Sequence, residues 1–243
     1  MRNQPSFRAA RAGGLVAVLL APGVTLHALC EAEARPLGEA ASPKVRWGLL
    51  IDLNACPADC DRCVAACSKE NGLSSSGHAA TDAQWIRKVT VRDPASGFKR
   101  EVPVMCQHCT NAPCVDVCPT GASFRRADGI VLVDKHICIG CRFCMMACPF
   151  MARSFVHEPV ENQTFDAPRG KGTVEGCTLC APRIDAGGLP ACVEACAAGG
   201  GAAMLFGDLN DPHSAISRAV ATRATTRIRA DLKLDPGVSY VGL

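Results

Sequence analysis

Sixteen of the seventeen cysteines in this 243-residue chain fall into four groups of four, and Cys30 stands alone. The first group is Cys56, Cys60, Cys63 and Cys67. The second is Cys106, Cys109, Cys114 and Cys118, followed by Pro119. The third is Cys138, Cys141, Cys144 and Cys148, followed by Pro149. The fourth is Cys177, Cys180, Cys192 and Cys196. Thiols at this density, about 7% of the chain, imply a disulfide framework, structural zinc or iron–sulfur clusters. Spacing separates the three. Cys138-Ile-Gly-Cys-Arg-Phe-Cys-Met-Met-Ala-Cys148-Pro149 matches, residue for residue, the C-x2-C-x2-C-x3-C-P run that holds a cubane [4Fe–4S] cluster.

The match has a geometric reason. Cysteines three apart on a tight turn point their thiolates at three iron corners of a cube from one side. The fourth leaves on a short helix and, in two-cluster ferredoxins, ligates the other cube. A following proline keeps that last Cys out of the helical region and turns the chain. Zinc needs only two C-x2-C knuckles and has no use for the third thiolate or the proline. Disulfide geometry makes pairings inside C-x2-C-x2-C awkward. Clusters are therefore the reading, with a zinc-binding module as the remote alternative. The second group has four residues between Cys109 and Cys114, which can form a turn. The first has three between Cys56 and Cys60, and the fourth has eleven between Cys180 and Cys192, so the outer groups are looser.

Crossed ligation predicts four cages and four [4Fe–4S] clusters. Cys106, Cys109, Cys114 and Cys148 share one cage, and Cys138, Cys141, Cys144 and Cys118 share its neighbour. If the outer pair follows the same rule, Cys56, Cys60, Cys63 and Cys196 form a third, and Cys177, Cys180, Cys192 and Cys67 a fourth. All sixteen are then iron ligands, and no residue is predicted to be catalytic. No His or carboxylate is paired beside a nucleophile. His108 is a further ligand candidate, set against an ordinary hydrogen-bonded His. Arg142 and Lys135 lie near the third group, where their charge could raise its potential. Ordinary solvated side chains are the alternative.

The elements that must position these cysteines are short. Val45 to Leu53 alternates like a strand with Val45, Trp47, Leu49, Ile51 and Leu53 on one side, and feeds the first group. Trp85 to Asp93 and Lys99 to Met105 read as a hairpin around Pro94–Gly97. Ile130 to Val133 is a short strand, and Asp211-Pro212 opens a helix through Ala221. The fold expectation is α+β: tandem bacterial-type two-cluster ferredoxin-like units in a pseudo-two-fold repeat, rich in loops. Residues 45–100 carry the first motif and hairpin, and 101–156 form a central two-cluster core. Residues 157–243 carry the fourth motif and a helix, and pack with 45–100 as a second unit.

Residues 1–34 read as an export signal. Arg2, Arg8 and Arg11 precede an apolar stretch from Gly13 to Leu29, and Ala32-Glu33-Ala34 resembles a cleavage site. Arg8 and Arg11 are separated, so the adjacent pair of the twin-arginine route is missing. Cys30 is read as lost with the signal, with a lipoprotein site as the alternative. Residues 35–44 are a polar linker. The apolar stretch is short and broken by Pro22-Gly23, and no other run is long enough to span a membrane. Aromatic residues are only 5% of the chain, thin for this length, which suggests an interior filled by something besides hydrocarbon. The formal charge of +3 counts neutral thiols. Four clusters at about −2 each would take it to roughly −5. With no long basic run, nucleic acid is not a predicted partner.

The layout resembles the iron–sulfur electron-transfer subunits of membrane-associated respiratory oxidoreductases, such as polysulfide, nitrite and dimethyl sulfoxide reductases. Arg46-Trp-Gly48, Gln84 to Val89, Val104-Met-Cys-Gln-His-Cys109, Val115 to Gly121, Arg142 to Phe155, Leu189 to Cys196 and Leu205 to Pro212 carry a narrower resemblance. They are similar to the DsrO-type periplasmic subunit of the transmembrane complex linked to dissimilatory sulfite reductase. Nearly all of the chain after residue 44 is covered. The resemblance implies a relay, not a catalyst, with two partners: an integral membrane quinone-interacting subunit and a multihaem cytochrome c. It implies a periplasmic location, membrane-associated through those partners. The iron–sulfur subunit of another respiratory oxidoreductase is the alternative. One departure is local: the family has proline after its last Cys, whereas Cys196 is followed by Ala197-Ala-Gly-Gly-Gly-Ala-Ala203. The cage completed by Cys196 is therefore expected to be the weakest.

Overall fold

The computed structural model describes residues 19–21, 24–25, 35–36, 38–75, 77–78, 80–161, 168–200 and 202–243. The N-terminal arginines, the small-residue site at 32–34 and Cys30 lie outside the described residues. Residues 1–30 and 31–243 are separate units. In the first, β1 (Leu19–Ala21) and β2 (Val24–Thr25) pair antiparallel. No helix among the described residues is long and apolar enough to cross a membrane.

The second unit is α+β, with short helices and small sheets joined by loops. Its elements in order are β3 (Trp47–Asp52), α1 (Arg62–Glu70), β4 (Ile86–Arg92), β5 (Lys99–Met105), α2 (Pro113–Asp116), β6 (Ser123–Arg125), β7 (Val131–Val133), α3 (Phe143–Ala147), β8 (Ser154–Phe155), β9 (Val174–Glu175), α4 (Ala181–Asp185), α5 (Ala191–Ala198), β10 (Met204–Asp208), α6 (Ala215–Thr222), β11 (Thr225–Thr226) and β12 (Val238–Val241).

The one sheet wider than two strands among the described residues runs β10-β3-β12-β11. β3 lies inside it, antiparallel to β10 and parallel to β12, with Leu49 opposite both Phe206 and Val238. The sheet therefore ties the segment before the first cysteines to the segments after the last. The expected strand is present, and both of its faces are buried. Leu50 is as buried as Leu49 and Ile51, because an inner strand covered on both faces accepts a continuous apolar run. α6 supplies part of that cover, with Ile216 fully buried against Gly207. That helix starts at Ala215, three residues after the expected Pro212. Asp211 instead closes a turn by accepting the His213 amide, and Ser214 caps the helix by accepting the Ser217 amide at 3.1 Å.

β4 and β5 form the expected hairpin, registered from Ile86 opposite Met105 to Arg92 opposite Lys99. Its base is buried and its tip exposed, with Val89 and Val91 facing outward. β6–β7 is a shorter hairpin before α3, and β8 pairs antiparallel with β9 after it. Cysteines sit inside both apolar cores: Cys63, Cys67 and Cys192 among Leu49, Met105 and Leu179, and Cys109, Cys114 and Cys144 among Val131, Phe150 and Val174. This is where the missing aromatic bulk has gone.

Candidate metal centres

Each compact cysteine turn is shaped by left-handed backbone. The residue before the second Cys has positive φ in three groups: His108 at 44°, Gly140 at 69° and Leu179 at 54°. Only Gly140 announces this in the sequence. A non-glycine residue pays for such a conformation, and strain of this kind gathers where function demands it. At Gly140 a Cβ would also meet the Gly172 carbonyl oxygen at 2.1 Å.

The helices then divide the cysteines. Cys63 and Cys67 are one turn apart on α1, and Cys192 and Cys196 one turn apart on α5. These two helices pack together. In the middle of the chain, Cys114 lies in α2 with Cys118 just beyond it, and Cys144 lies in α3. Cys148 caps α3 in an extended conformation, φ −81° and ψ 108°, as the following proline requires. Without a proline, α5 runs on past Cys196 to Ala198 and ends at Gly199. There the Arg62 guanidinium donates to the Gly199 carbonyl at 2.7 Å, and a Cβ on residue 199 would collide with it.

Four cages result. In site I, Cys106, Cys109, Cys114 and Cys148 line one small cavity with Pro113 and Phe150. In site II, Cys118, Cys138, Cys141 and Cys144 line another with Gly140 and Arg142. In site III, Cys67, Cys177, Cys180 and Cys192 line a third with Trp85 and Leu179. In site IV, Cys60 and Cys196 lie close enough to Cys56 and Cys63 to oppose the ionisation of those two. The structure thus brings together the same sets of four that crossed ligation predicts, including the set with Cys196.

The electrostatics of bare thiols here are unfavourable. Burial, then the neighbouring cysteines, pushes Cys63 up to about 11 and Cys109 up to about 12. Burial also drives Cys67 and Cys192 well above the ordinary thiol value, again reinforced by the other cysteines of site III. Four desolvated thiolates cannot share a cage without a compensating cation. Among the described residues, no three Cys, His, Asp or Glu side chains close on a point that one ion could occupy. The sulfurs stand around a space instead, which suits a polynuclear cluster rather than a lone zinc.

Hydrogen-bond donors point the same way. Amides donate to sulfur from Ser123 to Cys118 (3.3 Å), Val174 to Cys138 (3.4 Å), Leu179 to Cys177 (3.4 Å) and Ala152 to Cys148 (3.5 Å). Burial works to raise Cys118, but the Ser123 amide and Thr120 hydroxyl outweigh it and hold the thiol below its ordinary value. Trp85 Nε1 and Thr178 Oγ1 are buried without a protein partner and both belong to residues lining site III. Arg153 Nη1 is likewise buried and unpartnered, in the wall of site I. Orphan donors around thiol cages fit groups that bring sulfide and thiolate acceptors. The donor set therefore fits [4Fe–4S] clusters. Trp85 and Arg153 lie in stretches that carry the family resemblance, but sequence reasoning did not single out any of the three as a donor to a cage.

The other candidates are placed differently. His108 is buried, and its Nδ1 accepts the Val131 amide at 3.0 Å, so the ring is engaged by backbone while four cysteines line site I without it. The Arg142 guanidinium stacks 3.8 Å from the Phe155 ring centre. Lys135 is no solvated side chain. Its Nζ donates to the Val174 carbonyl at 2.8 Å, and burial holds its pKa down to about 8.

Adjacency of the sites follows from shared elements. Sites IV and III share α1 and α5, and sites I and II share α2 and α3. Cys177 of site III and Cys106 of site I line a single narrow cavity with Lys135 and Arg153. The order is IV–III–I–II. At the far end Cys141 is exposed, amid Ile139, Phe143, Met146 and Met151, each at least half exposed.

Comparison with known proteins places the chain among iron–sulfur proteins. The family described as 4Fe-4S dicluster domain matches residues 99–209. The Hdr-like menaquinol oxidoreductase iron-sulfur subunit 1 of Archaeoglobus fulgidus is 39% identical over 232 residues, covering 84% of this chain and 86% of that protein. A tetrathionate reductase subunit from Salmonella typhimurium is 37% identical over 230 residues, covering 93% and 84%. Protein NrfC of Escherichia coli is 39% identical over 194 residues, covering 79% and 78%.

Proposed function

The chain belongs to the family of iron–sulfur electron-transfer subunits of respiratory oxidoreductases, and on that premise we propose that it carries four [4Fe–4S] clusters in the order IV–III–I–II. It is an electron-transfer subunit and not the catalytic subunit of its complex. The sixteen cysteines are the proposed iron ligands, shared in the crossed sets of sites I to IV. In its finer form, the proposal is a relay between a periplasmic multihaem cytochrome c and a quinone-interacting membrane subunit, in a complex of dissimilatory sulfur metabolism. Two ferredoxin-like pairs, I with II and III with IV, are proposed as the repeat.

The single observation that carries this reading is the crossed grouping itself, in which each helix lends one cysteine to either side. It makes neighbouring cages contiguous, and a line of contiguous one-electron sites is a conductor. The redox chemistry is that of the clusters. The chain's own residues exclude water, supply thiolates and direct N–H groups at sulfur, which set each potential. The exposed apolar surface around Cys141 supports docking of a partner at the site II end, since such a surface on a soluble face marks an interaction site.

Anaerobic iron and acid-labile sulfide analysis with EPR of the reduced protein tests the proposal. About sixteen of each, with magnetically coupled cubane signals, is the expected result. Zinc without sulfide overturns it. About twelve of each means that one cage, with site IV the first suspect, does not hold a cluster. The Salmonella relative, aligned over 93% of the chain, favours a second reading: the iron–sulfur subunit of another respiratory reductase. Purifying the native complex distinguishes the two: c-type haem beside a quinone-interacting membrane subunit supports the first, and a molybdopterin, polysulfide or nitrite reductase subunit in the complex supports the second.

A further inference from the structure

Arg153 lies just beyond the last cysteine of site I, yet its side chain turns inward and only 8% of the residue is exposed. Nη2 donates to Cys114 Sγ at 3.1 Å and to Ser123 Oγ at 2.8 Å, while Nη1 is buried with no protein partner. No carboxylate pairs with it among the described residues. The buried carboxylate of Glu175 is already held on both oxygens by Arg169, at 2.8 Å each. Arg153 lines the cavity of site I and also the narrow cavity between Cys106 of site I and Cys177 of site III, where Lys135 is its neighbour. The sulfurs of Cys114, Cys106 and Cys144 are near enough to favour its charge. A desolvated guanidinium without an acid is strongly unfavourable on its own. What surrounds this one is sulfur from site I, with site II and site III close by.

We propose that Arg153 is a positioning residue that raises the reduction potential of the cluster in site I above what its thiolate cage alone would set. The inference rests on the reading of the cages as [4Fe–4S] sites. Reduction places one electron, and so one further negative charge, on a cluster. A fixed cation hydrogen-bonded to a ligand sulfur stabilises the reduced state more than the oxidised one. Its direct hydrogen bond is to Cys114, so site I feels it most, and sites II and III feel its charge only. Lys135 is the second cation at the same junction. Two cations, neither in an ion pair among the described residues although the Arg169-bound Glu175 carboxylate lies near Lys135, then stand at the step from III to I, through which every electron on the IV–III–I–II line passes.

The test is an EPR-monitored redox titration of the holoprotein as wild type, Arg153→Gln and Arg153→Lys, with iron and sulfide measured on each. In Arg153→Gln at full iron content, one of the four reduction steps moves to lower potential. The expected size is about tenfold in its reduction equilibrium, about 59 mV for one electron. The other three steps move less, and Arg153→Lys recovers most of the change. Four unchanged steps at full iron content overturn the proposal. A wild type without iron and sulfide sinks the cluster reading itself, a different result from unchanged steps. If Arg153→Gln loses its site I cluster, pulsed EPR on protein labelled with nitrogen-15 arginine decides. A guanidinium coupling to one reduced cluster, present in wild type and missing in Arg153→Lys, supports the proposal, and no such coupling in wild type refutes it.

Discussion

Removing two thiols at once turns the crossed arrangement into a counting experiment. Cys144 and Cys148 belong to one cysteine run and one helix, yet Cys144 lines the cavity of site II and Cys148 that of site I. Cys109 is far from Cys148 in the chain but shares its cage. The double variant Cys109→Ala/Cys148→Ala therefore disturbs one cage, and iron falls from about sixteen to about twelve per chain. Cys144→Ala/Cys148→Ala disturbs two, and iron falls to about eight. Ligation within each run predicts the reverse. Anaerobic iron and sulfide analysis reads the difference directly, and reduced-state EPR shows whether one coupled partner or both have gone. Global unfolding would drive both variants towards zero, which circular dichroism on the same samples detects. Equal losses in the two variants, or the larger loss in Cys109→Ala/Cys148→Ala, would refute the crossed geometry.

Four further outcomes are expected. Gly140→Ala forces a side chain onto a backbone at φ 69° and against the Gly172 carbonyl, so it selectively costs the site II cluster, about four irons, measured by the same analysis. Glu175→Gln removes the buried negative charge that Arg169 grips with two 2.8 Å bonds, and denaturant melts read a loss of about 3 kcal/mol. Tyr240→Phe removes the hydroxyl that donates to the Pro103 carbonyl at 3.0 Å and accepts from Gln107 at 3.3 Å, lowering stability by about 1–3 kcal/mol in the same assay. At Asp235 burial raises the carboxyl pKa, but hydrogen bonds from Arg46 and Thr110 outweigh it and hold the folded value below the usual range. Its stabilisation is therefore present above the ordinary carboxylate pKa of about 3.9 and is lost as pH falls through the lower folded value. Asp235→Asn is less stable than wild type by about 0.5–1 kcal/mol at pH 7, discounted for solvent screening, and the gap closes in melts at acid pH.

What the sequence determined by itself was the chemistry and its local geometry. Four cysteine runs mark the proposed ligands, because thiolate spacing along a tight turn is a short-range property that needs no knowledge of the rest of the chain. The β4–β5 hairpin was legible for the same reason, since a turn between two strand-like runs sets its own register. The order of sites is not local. Cys67 reaches Cys177, Cys180 and Cys192 only because α1 packs on α5 and because β3 pairs with β10 and β12. Long-range packing also buries Leu50, on the face opposite Leu49 and Ile51. The left-handed turns at His108 and Leu179 are invisible in residue type, whereas Gly140 betrays its own. Arg153 looks like any surface arginine in the sequence, because charge says nothing about burial. Only the folded chain sets it against the sulfur of site I with sites II and III close by, and burial decides what a charge is worth.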